Sequence, residues 1–88
     1  MLEIHITNTF KKDAKKSKKQ QLDLKILENI IDLLKTGQKL PSKYRDHNLV
    51  GNYKNCRECH LKPDWLLIYE VINNRLILHR LGSHSELF

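Results

Sequence analysis

The run Trp65-Leu66-Leu67-Ile68-Tyr69-Glu70-Val71-Ile72, then Asn73-Asn74, then Arg75-Leu76-Ile77-Leu78-His79-Arg80-Leu81 decides the fold. Its first five residues are apolar or aromatic without a break, as a central strand covered on both faces must be. Glu70 is the first charge in it. The Asn73-Asn74 pair suits a two-residue hairpin, because asparagine tolerates the positive φ that such turns require. A third run over residues 52–61 precedes the hairpin and is separated from it by Lys62-Pro63-Asp64, a turn signal. Three successive strands, mainly antiparallel, are predicted from this half of the chain.

The first half reads differently. Ile4 and Ile6 alternate with Glu3, His5 and Thr7, a period of two that predicts a short opening strand. Asn8 or Thr9 is placed to cap a helix over about 10–19, in which six lysines (positions 11, 12, 15, 16, 18 and 19) leave only Phe10 and Ala14 as an apolar stripe. Leu22, Ile26, Leu27, Ile30, Ile31, Leu33 and Leu34 recur at three- and four-residue spacing and mark a second, amphipathic helix ending at Gly37. Residues 38–51 lose periodicity and carry Pro41, Asp46, Asn48 and Gly51, so a loop longer than most small-domain connections is expected there. The resulting order β-α-α-β-β-β defines an α+β domain spanning residues 1–88, with two helices laid on one face of a small sheet.

Composition narrows the function. With 88 residues, 40% hydrophobic and 30% charged, the chain has room for one small core and none for a second domain. Sixteen Lys and Arg against ten Asp and Glu leave a net charge of +6, which favours a polyanionic partner such as nucleic acid. No stretch approaches the roughly 18 apolar residues of a membrane span, and residues 1–5 do not begin a secretion signal, so a cytoplasmic location without membrane association is expected.

Several residues lie between the elements and are not explained by packing patterns: His47 in the long loop, His60 at a strand end, Asp64 and Trp65 at the next strand's start, Arg80, and then His84 and Phe88 in the tail. An antiparallel hairpin arrangement brings the end of the 52–61 run, the start of the 65–72 run and the end of the 75–81 run to one edge of the sheet. Paired imidazoles there are suited to moving protons near neutrality. RNA carries its own nucleophile in the 2′-hydroxyl, so a base, an acid and a cation for the phosphate suffice for its cleavage without a metal. Each residue also has a plainer reading. His47 alone suits a solvated loop, Trp65 suits the core, and Arg80 suits a pairing with Glu58 or Glu70 across the sheet.

The runs Tyr44-Arg45-Asp46-His47-Asn48-Leu49-Val50-Gly51, Cys56-Arg57-Glu58-Cys59-His60, Pro63-Asp64-Trp65-Leu66-Leu67-Ile68-Tyr69 and Arg80-Leu81-Gly82-Ser83-His84-Ser85-Glu86-Leu87-Phe88 resemble the YafQ branch of the RelE superfamily. These are ribosome-dependent mRNA interferases, the toxin halves of toxin–antitoxin pairs. The resemblance covers the chain in length and element order and is most specific over residues 44–88. It implies catalytic roles for the residues matching His47, His60, Asp64, His84 and Phe88 and phosphate contact for Arg80; Trp65, read from its position as a core residue, is expected to keep one edge at the substrate. It further implies ribosome-bound mRNA and ribosomal RNA as partners, and a cognate antitoxin protein. The lysine-rich helix is more basic than the family pattern, and Cys56 is not part of that pattern. The rivals are a non-cleaving ParE-like toxin and a basic RNA-binding module of the same fold.

Cys56-Arg57-Glu58-Cys59-His60 also spells the Cys-x-x-Cys-His of haem attachment. In a strand, side chains three apart point to opposite faces, so the two thiols do not converge on one haem or zinc ion. No cofactor and no metal site are expected on that ground.

Overall fold

The computed structural model describes residues 1–88 except the side chain of Asn52. Its elements are β1 (Glu3–Ile6), α1 (Asn8–Lys19), α2 (Leu24–Lys35), β2 (His47–Asn48), β3 (Arg57–Lys62), β4 (Trp65–Ile72), β5 (Arg75–Gly82) and α3 (His84–Leu87). The strands form one sheet in the order β1-β5-β4-β3-β2. β1 runs parallel to β5 and every other pairing is antiparallel. This is the α+β architecture expected, with α1 and α2 packed on one face.

β4 lies between β3 and β5, and Leu66, Leu67, Ile68 and Tyr69 are each no more than 1% exposed. Leu67 and Tyr69 face the helix-side core with Phe10, Ile30 and Leu34, whereas Leu66 and Ile68 face a smaller core with Cys56 and Leu87. That two-sided burial is why the segment carries no polar alternation. Truncating such a side chain costs about 2–5 kcal/mol. The Asn73-Asn74 turn takes φ of 51° and 63°, as the hairpin reading requires.

The helices start and stop on local chemistry. Thr7, one residue before the expected cap, accepts the Phe10 N–H through its hydroxyl and donates that hydroxyl to His79 O, which ties the start of α1 to β5. Asp23 caps α2 by accepting from Lys25 N–H, and Gly37 follows the helix with φ +76°, where glycine meets no Cβ penalty.

Three boundaries differ from expectation. β3 begins at Arg57 and not at residue 52, because a single 3₁₀ turn over Gly51–Tyr53 and a left-handed Asn55 interrupt the extended chain. The long loop holds another such turn (Ser42–Tyr44) and the two-residue β2. The tail, to which the sequence assigns no element, forms α3: Ser83 and Glu86 make a reciprocal capping box, and the helix packs through buried Leu87. The register of β4 against β5 jumps from Ile68↔Arg80 to Tyr69↔Leu78, so His79 is a bulge residue. Among the described residues, no helix is long and apolar enough to cross a membrane.

Candidate active site

Alternation along β3 sends Cys59 and Leu61 into the helix-side core and leaves Glu58 and His60 on the opposite face. β2 pairs His47 with Glu58, and so delivers His47 to that same face. Glu58 is buried at 3% exposure, and its Oε1 lies 3.1 Å from His60 Nε2 and 3.6 Å from His47 Nε2. The two imidazole rings are 6.1 Å apart. His47 Nδ1 meets Arg45 O at 2.7 Å and His60 Nδ1 meets Pro63 O at 3.3 Å. A carbonyl oxygen only accepts, so each Nδ1 is assigned the proton and each Nε2 turns towards the carboxylate. With Nδ1 carrying the proton, each neutral ring turns an Nε2 lone pair towards the carboxyl group, so one added proton or a shared cation joins the three. The cluster is therefore built to hold a mobile proton or an ion.

A second network aims His47. The neighbouring Asp46 accepts from buried Tyr69 Oη at 2.5 Å and from Arg57 Nε and Nη2 at 3.2 and 3.1 Å, while Arg57 Nη1 donates to Asn48 Oδ1 at 2.6 Å. The Asp46 carboxylate raises the Arg57 guanidinium above its ordinary value, and burial, aided by Asp46, pushes the Tyr69 hydroxyl up as well. Asp46 and Asn48 are thus anchored to Arg57 while His47 between them faces Glu58.

Asp64, in the turn between β3 and β4, accepts the backbone N–H of His84 at 3.2 Å. His84 opens α3, and its ring lies 4.8 Å from that of Phe88, which in turn meets Tyr53 edge-on at 5.5 Å. Phe88 remains 54% exposed. Lys16 pairs with Glu86 and joins α1 to α3; together with the Ser83 bonds it holds the Glu86 carboxyl down to about 2. The His84 ring is outside the His47–Glu58–His60 cluster; the 63–64 turn links the two, meeting His60 Nδ1 through Pro63 O and the His84 backbone N–H through Asp64. A cleft of about 300 Å³ beside His60 is lined by Lys43, Arg45 and Lys62.

One expectation needs correction. Arg80 pairs with neither Glu58 nor Glu70: its Nε and Nη2 donate to Asp13 of α1 at 2.7 and 3.3 Å, because β5 runs beneath α1. Trp65 packs against the helix-side core with its indole N–H donated to Ser17 Oγ at 3.3 Å, and the residue stays half-buried, with part of its surface uncovered. Two contributors were missed. Glu58 was detectable as a carboxylate two residues before His60 on a strand, whereas the link of Asp46 to Tyr69 had no sequence signal.

The family model described as "Bacterial toxin of type II toxin-antitoxin system, YafQ" matches residues 2–88. The chain belongs to the YafQ toxin family. The mRNA interferase toxin YafQ of Escherichia coli K12 is 36% identical over 87 residues, covering 98% of this chain and 95% of that protein. YafQ in the E. coli DinJ–YafQ complex superposes with TM-score 0.92 at 35% identity, covering 100% of this chain and 99% of that one. A metal-bound toxin from Helicobacter pylori superposes with TM-score 0.94 at 51% identity over 100% of both chains. In this YafQ family member, one nitrogen each of His47 and His60 and one oxygen of Glu58 lie within 4.8 Å of one another. Two imidazoles and a carboxylate suit a first-row transition metal, so these residues fit an ion.

Proposed function

We propose that this YafQ family toxin is an endoribonuclease that cleaves mRNA on the ribosome by metal-free general acid–base catalysis and is neutralised by a cognate antitoxin. The observation that carries the reading is the buried Glu58 between two imidazoles, with His84 held by Asp64 across the adjoining turn. One imidazole takes the proton of the 2′-hydroxyl, whose oxygen attacks the adjacent phosphorus. The bond to the 5′-oxygen breaks, that oxygen is protonated by a second group, and a 2′,3′-cyclic phosphate forms. His60 and His84 exchange these protons, Asp64 orients His84, and His47 contacts substrate. Arg80 spends donors of Nε and Nη2 on Asp13 and has others left for the phosphorane. Phe88 stacks on a base, and the exposed lysines of α1 meet ribosomal RNA.

The antitoxin reading rests on family membership, on the DinJ complex of the E. coli relative and on the +6 charge, which suits an acidic partner that folds onto the toxin. A ParE-like binder or a plain RNA-binding module has no use for the His/Glu/His cluster. A cytoplasmic site of action follows from the mRNA substrate.

The same cluster favours a second reading beside the first. His47, Glu58 and His60 would hold a transition-metal ion, as the metal-bound H. pylori relative encourages, and an ion there would occupy the nitrogen lone pairs that proton transfer needs. Metal then inhibits and does not assist. The test is cleavage of mRNA on translating ribosomes by added purified toxin, with a chelator selective for zinc and copper and controls showing that the ribosomes stay intact. Activity should persist in chelator, fall when zinc or copper is added, and drop by about 10² or more in His60→Ala and in His84→Ala. Chelator-abolished cleavage restored by metal would refute the metal-free mechanism.

A further inference from the structure

On the same sheet face as Glu58, but further along the strands, three side chains that the proposed reaction does not use come together. The Cys56 sulfur, a Glu70 carboxylate oxygen and a His79 ring nitrogen lie within 4.8 Å of one another. Strand geometry explains the meeting. Cys56 is two residues before Glu58 and shares its face, and Glu70 follows Tyr69, the partner of Arg57, so it lies opposite Cys56. His79 is the residue left over by the β4–β5 register jump, and the bulge brings its Nε2 within 2.9 Å of Glu70 Oε1. None of the three is exposed: Cys56 is buried among Leu66, Ile68 and Leu87, and Glu70 and His79 are half-buried.

We propose that Cys56, Glu70 and His79 form a second metal site, separate from the His47–Glu58–His60 cluster, that takes a zinc-class divalent cation. One thiolate, one imidazole and one carboxylate are ligands of Zn²⁺ and of its spectroscopic substitute Co²⁺, and the thiolate discriminates against Mg²⁺ and Ca²⁺. Ligand atoms at about 2.0–2.3 Å from a tetrahedral ion stand roughly 3.3–3.8 Å apart, so the His79–Glu70 contact of 2.9 Å opens slightly and the Cys56 sulfur closes by about 1 Å. The ion's two positive charges match the thiolate and the carboxylate, and the fourth position is left to water. Without an ion, burial and the Glu70 carboxylate push the Cys56 thiol up, so it keeps its proton; a bound cation replaces that proton. Cys59 plays no part, since it lies in the helix-side core. The consequence is a clip: the ion fastens the chain just before β3, and with it the segment that delivers His47, to β4 and β5.

Titration of the reduced, full-length protein with Co²⁺ tests the site. A thiolate bound to cobalt produces an intense near-ultraviolet charge-transfer band, and the His47–Glu58–His60 cluster contains no sulfur, so the band reports the second site alone. The band should appear in the wild type, in Cys59→Ala and in the His47→Gln/His60→Gln double variant, and should vanish in Cys56→Ser. Glu70→Gln and His79→Gln should each weaken cobalt binding by about tenfold or more. These two variants keep the test decisive if Cys56→Ser does not fold. Zn²⁺ should displace the cobalt and raise the melting temperature of the wild type. A wild type without the band, a band that survives Cys56→Ser, or unweakened binding in both Glu70→Gln and His79→Gln would overturn the proposal.

Discussion

Replacing Glu58 by glutamine preserves the side chain's shape and removes its charge. Glu58 is 3% exposed, with Oε1 3.1 Å from His60 Nε2 and 3.6 Å from His47 Nε2, so the charge acts on the two imidazoles and not on solvent. A contact assisted by charge is worth about 1.5–3 kcal/mol and a neutral one about 0.5–1.5 kcal/mol, so the exchange forfeits about 1–2 kcal/mol. At about 1.36 kcal/mol per tenfold, cleavage should slow by roughly five- to thirtyfold, most of it through the shorter His60 contact. Glu58 positions and polarises the imidazoles without reaching the RNA. The loss should therefore fall on kcat and leave KM unchanged, and the melting temperature should move little because the amide fills the same space. Glu58→Ala, which leaves a hole, is the destabilised comparison. Steady-state cleavage of a defined mRNA, with circular dichroism on the same samples, makes the measurement. A Glu58→Gln protein of wild-type kcat, or one whose whole defect lies in KM, would refute this reasoning.

Phe88→Ala should lower cleavage by about one to two powers of ten with little change in stability, because the residue is 54% exposed and its ring meets the His84 and Tyr53 rings at the surface; a bulky C-terminal tag should mimic it. A large fall in melting temperature would make Phe88 a core plug instead. Converting Lys12, Lys15 and Lys19, exposed on α1, to glutamine should weaken RNA binding and flatten its log–log salt dependence by up to about 0.7 per lost phosphate contact. An unchanged slope would return these lysines to a solvated face. The Glu86 carboxyl is lowered from 4.5 to about 2 by Lys16 and Ser83, so its contribution is present above 4.5 and is lost as pH falls through 2. Urea denaturation should accordingly find Glu86→Gln less stable than the wild type at neutral pH, by an amount that shrinks as pH falls towards 2; a constant gap would contradict it.

What was legible in the sequence was what short-range pattern encodes. The apolar run of β4, the Asn73-Asn74 turn and the three- and four-residue spacing in α2 each report burial or backbone strain directly, and the structure reproduces them closely. Convergence of His60, Asp64 and His84 at one end of the sheet followed from antiparallel order alone. The rest depended on register. β2 is two residues long and has no period to detect, yet it is what sets His47 opposite Glu58. Arg80 was matched on paper with Glu58 or Glu70, and only the passage of α1 over β5 brings Asp13 to it. Likewise Cys56, Glu70 and His79 are scattered over 24 residues of sequence and meet because of a bulge that no composition rule anticipates.

The central claim is that cleavage on the ribosome proceeds through the RNA's own 2′-hydroxyl with histidines moving the protons, and the ends of the products test it most directly. mRNA recovered from translating ribosomes treated with the wild-type toxin, with His60→Ala and with His84→Ala should be mapped at its new 5′ ends and its termini identified. The account predicts 5′-hydroxyl and 2′,3′-cyclic phosphate termini from the wild type in the presence of ribosomes, falling by about 10² or more in either variant. Products carrying 5′-phosphate and 3′-hydroxyl termini, or undiminished cleavage by a folded His60→Ala/His84→Ala protein, would contradict it.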